Sequence, residues 1–105
     1  MNEKKINSFV QFYPYYLSEH SKPGTKLLHF IGTLLVIINL IAFIFYFNFT
    51  YLMLAPISGY GFAWFSHFFI EKNKPATFKY PIYSLRADFV MFGHIILGKI
   101  KIFNN

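Results

Sequence analysis

Uncharged residues fill the middle of this chain. Between Phe30 and Ser66 there are 37 consecutive residues without Asp, Glu, Lys or Arg, whereas a helix that spans a membrane needs only about 20 apolar residues. The stretch is therefore long enough for two spans. The natural break between them falls at Asn48, where polar residues interrupt a run of aromatic side chains that favour the membrane interface. The pattern predicts a hairpin of two transmembrane helices, over about residues 27–47 and 51–70.

The segment before the hairpin is predicted to form an amphipathic helix. Its apolar residues, from Phe9 to Leu17, recur at spacings of three and one, which places them on one face of a helix. Asn7 or Ser8 can cap the first turn, and Pro14 is expected to interrupt the helix. We interpret this segment as a helix on the membrane surface, which could also pack against the hairpin.

The segment after the hairpin is predicted to be a polar connection followed by a short helix. Residues 71–86 hold four cations, and Pro75 and Pro81 are expected to prevent a long helix there. Asp88 can cap a final helix over residues 88–102. Its uncharged part is too short to cross a bilayer, so we expect this helix to be interfacial or re-entrant.

The composition supports an all-α membrane protein with a single membrane domain, residues 1–105. Charged residues make up only 13% of the chain, about half of the share found in an average soluble domain. Two spans bury little protein surface, so a homodimer is plausible. Residues 7–19 are too polar and aromatic for the apolar part of a signal peptide, and we expect no cleaved signal.

The net charge of +6 is distributed over three short polar stretches instead of one basic stripe. This distribution argues against nucleic acid as a partner and favours membrane lipids or fatty carboxylates. Cations lie on both sides of the hairpin but not at its central turn. By the positive-inside rule we predict an integral, multi-pass protein of a bacterial inner membrane or an ER-type membrane, with both termini on the cytoplasmic side.

The histidines are the candidate chemistry. The chain has no cysteine, so a metal would need imidazole or oxygen ligands. His20 and His29 lie at the cytoplasmic end of the first span, His67 and Glu71 at that of the second, and His94 in the last helix. All four histidines are therefore expected at one depth, where three could bind iron, zinc or copper and leave positions open for a substrate. Alternatively, each could simply form hydrogen bonds at the membrane interface.

The charged residues near these histidines have several possible roles. Glu71 could be a fourth ligand, an acceptor that orients a ligand histidine, or a helix-end carboxylate beside Lys72; we favour the second. Asp88 is expected to cap a helix or pair with Arg86. Lys26 or Lys72 could bind the carboxylate of a fatty acid.

Two blocks of the sequence resemble a known family. Residues 12–33, FYPYYLSEHSKPGTKLLHFIGT, contain two of the histidines, and residues 59–89, GYGFAWFSHFFIEKNKPATFKYPIYSLRADF, contain the pattern H-x-x-x-E-K-x-x-P-A. These blocks resemble the small membrane family that includes the fungal 2-hydroxy fatty-acid dioxygenase. The likeness extends over nearly the whole chain after residue 8. In place of His94, members tend to carry larger or acidic residues, so His94 inherits no role.

The resemblance implies a mononuclear non-haem iron enzyme. Such an enzyme uses Fe(II) and molecular oxygen to shorten a 2-hydroxy fatty acid by one carbon, the alpha-oxidation of lipid metabolism. By position, His20, His29 and His67 become the metal-binding and catalytic candidates, and Glu71 matches the acidic position of the second block. The open alternatives are a non-catalytic membrane module for lipid binding or assembly, and the same metal site acting on another lipid.

Overall fold

The computed structural model describes residues 6–103, which form four α-helices and no strand. This confirms the all-α fold for that range. A π-helical turn continues the third helix, and a short 3-10 turn precedes the fourth. The helices are α1 (Phe9–Ser18), α2 (Pro23–Tyr46), α3 (Phe49–Ser66) and α4 (Pro81–Ile96), with the π-helical turn at His67–Glu71 and the 3-10 turn at Ala76–Phe78.

Helix α1 begins where the sequence predicts and continues without a break. Ser8 is its N-cap, and the Ser8 side chain accepts a hydrogen bond from the backbone N–H of Gln11. The expected interruption at Pro14 is wrong, because the helix continues through this residue. Proline removes one backbone hydrogen bond, and the buried side chains of Phe12 and Tyr16 hold the helix in place on both sides of it.

Helices α2 and α3 pack antiparallel. The chain reverses at Phe47, which adopts the left-handed conformation, and at Asn48, which caps α3. A Cβ built on Gly32 would lie 3.0 Å from the Cβ of Phe62 and 3.3 Å from the carbonyl of Gly59. The absence of a side chain at Gly32 therefore lets the two backbones approach closely, as small residues do between membrane helices.

Within residues 6–103, α2 is the one helix that is long and apolar enough to cross a membrane. It has 24 residues, and only 17% of its most apolar window is buried inside the protein. The segment predicted as a second span, residues 51–70, is divided between α3 and the π-helical turn. By the same criterion, helix α3 is not long and apolar enough to cross a membrane.

Helix α4 starts earlier than the sequence suggested. Pro81 occupies its first turn, where a missing backbone N–H costs nothing. The polar connection therefore does not extend to Arg86, and the expectation that Asp88 caps a helix is wrong. Asp88 lies in the middle of α4 instead, and Arg86 stacks on the ring of Phe9, 4.3 Å from its centroid.

The core lies at the end of the α2–α3 pair that is remote from Phe47. There α1 and α4 pack together, and their buried apolar side chains form one cluster with Ala76. Phe12 of α1 packs against the rings of Tyr80 and Tyr83, each at a centroid distance of 5.4 Å. The apolar face of α1 is thus covered by protein, and this core positions both helices beside the first turns of α2.

Candidate metal centre

Three histidines from three parts of the chain meet beside this core. His20 follows α1, His29 lies in the second turn of α2, and His67 begins the π-helical turn. All three are buried, and one potential ligand atom from each lies within 4.8 Å of the others. We call these residues the histidine cluster. They are the three that the sequence singled out, and their role as ligands stays a prediction.

The protonation of His20 is fixed by the backbone. Its Nδ1–H donates to the carbonyl oxygen of Tyr16 over 2.7 Å, and because a carbonyl only accepts, Nδ1 must carry the proton. Burial lowers the pKa of His20 well below its usual value, and the neighbouring His29 and His67 lower it further. The ring is therefore neutral near pH 7, with the lone pair of Nε2 facing the cluster.

Asn73 fixes the ring of His67 in the same way. The Nδ1–H of His67 donates to Oδ1 of Asn73 over 2.7 Å. The amide nitrogen of Asn73 donates to the backbone carbonyl and to the carboxylate of Glu19, at 3.3 Å and 3.2 Å, which establishes which amide atom faces the histidine. Nε2 of His67 is left with a lone pair. No sequence pattern had singled out Asn73.

The π-helical turn explains how Asn73 reaches His67. The turn ends at Lys72, which adopts the left-handed conformation with φ 64°, and the backbone N–H of Asn73 then donates to the carbonyl of His67 over 2.9 Å. One residue thus closes the turn with its backbone and orients the ring with its side chain. Single π-helical turns are frequent at functional sites.

Asp88 fixes the ring of His29. The Nε2–H of His29 donates to Oδ1 of Asp88 over 2.7 Å, and the same oxygen accepts the hydroxyl of Tyr16 over 2.6 Å. Nδ1 of His29 is buried and has no hydrogen-bond partner. The sequence predicted Asp88 as a helix cap or a partner of Arg86, whereas in the structure it contacts the histidine cluster. The sequence offered one indication of this position: Asp88 lies one residue after Ala87 and three before Met91, and both of these residues are on the buried face of α4.

Two of the rings consequently present lone pairs to each other. Nε2 of His20 and Nε2 of His67 are only 3.0 Å apart, although both rings carry their proton on Nδ1, so two acceptors face each other. A proton or a metal cation between them would remove this repulsion. The third lone pair, on Nδ1 of His29, favours a cation with several coordination positions over a single proton. The donor set therefore fits a divalent metal.

The other sequence candidates lie around the cluster. Glu71 accepts hydrogen bonds from Oγ of Ser21 at 3.1 Å and from the backbone N–H of Lys22 at 2.6 Å, and so holds the start of α2 against the π-helical turn. This differs from the prediction that Glu71 orients a ligand histidine, since other residues accept all three ring protons. Nζ of Lys26 donates to the carbonyl of Lys101 at 3.3 Å.

Two further candidates lie outside the cluster. Lys72 is exposed at the end of the π-helical turn. Nδ1 of His94 and the hydroxyl of Tyr13 form a hydrogen bond of 2.8 Å, and burial raises the pKa of this tyrosine to about 12. The cluster therefore contains three of the four histidines that the sequence placed at one depth.

An apolar cavity of about 330 Å³ adjoins the cluster. It lies between α2, α3 and α4, with His29 and Asp88 at one end and mostly apolar side chains along its walls. Sites for small molecules commonly have this form, an apolar cleft with a few convergent polar groups. The arrangement can bind a molecule that has one polar, metal-binding end and an apolar remainder.

A comparison with protein families agrees with this arrangement. The model of a family described as 2-hydroxy-palmitic acid dioxygenase Mpo1-like matches residues 6–100. The chain belongs to this family. The match spans all four helices and the whole histidine cluster, and the Mpo1-like name suggests a function related to the oxygenation of 2-hydroxy fatty acids. Neither the comparison with curated proteins nor that with solved structures found a match.

Proposed function

We propose that this protein is an Fe(II)-dependent dioxygenase that converts a 2-hydroxy fatty acid into the fatty acid one carbon shorter. The observation that carries the proposal is the cluster of three buried histidines, each with a potential ligand atom within 4.8 Å of the others, beside the polar end of an apolar cavity. Membership of the Mpo1-like family supports the same substrate class.

The ion would be held by Nε2 of His20, Nε2 of His67 and Nδ1 of His29. Imidazole nitrogens suit both iron and zinc. Zinc has no redox chemistry, whereas the proposed oxygenation requires electron transfer to O2, so we propose Fe(II) as the ion. When bound, Fe(II) supplies positions for the 2-hydroxy acid and for oxygen, and electron transfer between them.

The net reaction balances without a further co-substrate. A 2-hydroxy acid, RCH(OH)COOH, and O2 give RCOOH, CO2 and H2O. The bond between C1 and C2 breaks, C2 becomes the new carboxyl carbon, and the four electrons lost by the substrate reduce O2. No external reductant is needed, since the substrate itself supplies these electrons.

The chain's own residues position the reactants. Asp88 keeps the proton of His29 on Nε2, so that the lone pair of Nδ1 remains available to a metal ion. Lys26 is close enough for its charge to lower the pKa of His20, and we propose it as the cation that attracts the substrate carboxylate. Lys72 remains a second candidate for this role at the exposed surface.

We further propose that both α2 and α3 lie in a membrane. Side chains around the turn between them are large, apolar and exposed: Phe45 is 78% and Phe47 70% exposed, and Met53 of α3 66%. Such a contiguous surface is typical of contact with lipid. Lys22 and Lys74 belong to the opposite, cation-rich end, which by the positive-inside rule faces the cytoplasm together with the histidine cluster.

Metal analysis of the detergent-purified protein, prepared without oxygen and with Fe(II) available, tests this function. Wild type should contain one iron ion per chain and convert 2-hydroxypalmitate to pentadecanoate. His67→Ala should lose both properties, whereas His94→Ala, which changes a histidine outside the cluster, should keep them. Folded wild-type protein that cannot be loaded with Fe(II) would overturn the proposal and leave the non-catalytic membrane module as the better explanation.

A further inference from the structure

The cavity beside the cluster has a direction. Its lining residues on α2 are His29, Thr33, Val36 and Leu40, which are spaced by four, three and four positions and so form one stripe along the helix. The stripe leads away from the histidine cluster. Leu40 lies at its far end, three turns from His29.

The opposite wall of the cavity is formed by α3, which runs antiparallel to α2. A Cβ on Gly59 would lie 2.8 Å from Cγ2 of Val36, which shows that these two residues are neighbours. Because the helices are antiparallel, Ala55 lies one turn further from the cluster, at the level of Leu40. Ala55 is buried, and both residues line the cavity.

We propose that this cavity binds the acyl tail of the substrate and that Leu40 and Ala55 determine the chain length that the enzyme accepts. The inference rests on the proposed function, since it assigns the tail of the same 2-hydroxy acid. Its head would lie at the histidine cluster, and its tail would follow the stripe on α2.

The chemistry of the walls favours an alkyl chain. The polar groups His29, Thr33 and Asp88 lie at the cluster end, with the hydroxyl of Tyr60 further along, and the remaining walls are apolar. An apolar cavity holds water poorly and gains free energy when an alkyl group fills it. A polar or branched headgroup would lack partners at the level of Leu40.

The length of the cavity supports a long tail. From His29 to Leu40 the stripe advances eleven residues, or about 16 Å at a rise of 1.5 Å per residue. A carbon–carbon bond of about 1.52 Å, at an angle of about 111°, advances an extended alkyl chain by about 1.25 Å, so this distance accommodates about 13 carbon–carbon bonds. A volume of about 330 Å³ also lies within the range of sites for small ligands.

Two substitutions should change the accepted length in opposite directions. Ala55→Leu fills the far end and should favour 2-hydroxylaurate over 2-hydroxystearate, whereas Leu40→Ala lengthens the cavity and should favour 2-hydroxystearate. We expect each to change the ratio of the two kcat/KM values about tenfold relative to wild type. Ile41→Ala is the matched control, because Ile41 follows Leu40 in the chain but is 49% exposed.

The same fatty acids should also be measured as competitors of a fluorescent fatty acid, so that binding is observed without turnover. If Ala55→Leu and Leu40→Ala shift the preferred chain length in opposite directions in this competition assay, the tail site is supported. This holds even if neither the variants nor wild type have activity, in which case only the proposed function fails. Normal turnover with both length ratios equal to that of Ile41→Ala overturns the tail site and leaves the dioxygenase intact. If Ala55→Leu does not fold, the shift in Leu40→Ala decides.

Discussion

The ring of His29 donates from Nε2 to Oδ1 of Asp88 over 2.7 Å, and this bond leaves Nδ1 as the ring nitrogen with a lone pair. His20 and His67 donate from Nδ1 and present Nε2. His29 does the reverse, and its Nδ1 is the buried nitrogen without a hydrogen-bond partner. The cluster therefore combines two imidazole tautomers, with two rings protonated on Nδ1 and one on Nε2. The difference originates at the carboxylate of Asp88 in α4, 59 residues after His29 in the chain.

Replacing Asp88 should weaken the metal site without removing a ligand. In Asp88→Asn the charge is lost, and the amide cannot accept from both Tyr16 and His29 as strongly as a carboxylate does. We expect the affinity for Fe(II) to fall about 10- to 100-fold, measured by competition with a chromophoric chelator. Glu71→Gln removes the same charge at a carboxylate bonded to Ser21 and Lys22, and equal losses in both variants would contradict this role for Asp88.

Removing the hydroxyl of Tyr16 should destabilise the fold. Tyr16→Phe keeps the stacking on His20, where the ring centroids are 4.2 Å apart, but removes a donor to the charged Asp88. We expect the free energy of unfolding in detergent to fall by about 1.5–3 kcal/mol. Tyr15→Phe is the control, because Tyr15 packs against the rings of Phe12 and Tyr80. An unchanged unfolding midpoint in Tyr16→Phe would show that this hydrogen bond contributes little.

The close approach of α2 and α3 should be sensitive to a single methyl group. In Gly32→Ala the added Cβ would lie 3.0 Å from the Cβ of Phe62, which is too close without a shift of the helices. We expect a loss of about 1–3 kcal/mol in thermal or denaturant unfolding. Gly61→Ala offers a direct comparison, because nothing lies within 4 Å of a Cβ there. Similar stability of the two variants would argue against tight packing at Gly32.

The orientation in the membrane can be tested with single cysteines, since the chain has none of its own. Phe47→Cys, at the turn between α2 and α3, should react with a membrane-impermeant maleimide added to intact cells. Lys74→Cys, at the cationic end, should react only after permeabilisation. Labelling of both residues in intact cells, or of neither before permeabilisation, would contradict the proposed two-span topology.

The sequence predicted the helical content, the start of α1 at Ser8 and the chain reversal at Asn48 correctly. These features depend on local signals, namely a capping side chain, the spacing of apolar residues and an interruption by polar ones. It also singled out His20, His29 and His67, whose proximity in the structure follows from the antiparallel packing of the helices that flank them.

The errors concern proline and residues that act over long distances. Pro14 and Pro81 were interpreted as helix breakers, although the first is tolerated within a packed helix and the second lies in a first turn. Because the last helix was predicted to start at Asp88 and not at Pro81, Asp88 was expected at a helix cap and not on a buried helix face. Asn73 was hidden for another reason, since only the π-helical turn brings it back to His67.

The π-helical turn makes the number of residues between His67 and Asn73 matter more than their identity. Phe68 and Phe69 are 44% and 63% exposed, so the fold leaves room for other side chains at both positions. Deleting either one would remove the residue that widens the turn, restore ordinary α-helical geometry and rotate Asn73 away by about 100°. Substitutions at Phe68 and Phe69 are therefore compatible with the hydrogen bond between His67 and Asn73, whereas an insertion or a deletion between these two residues is not.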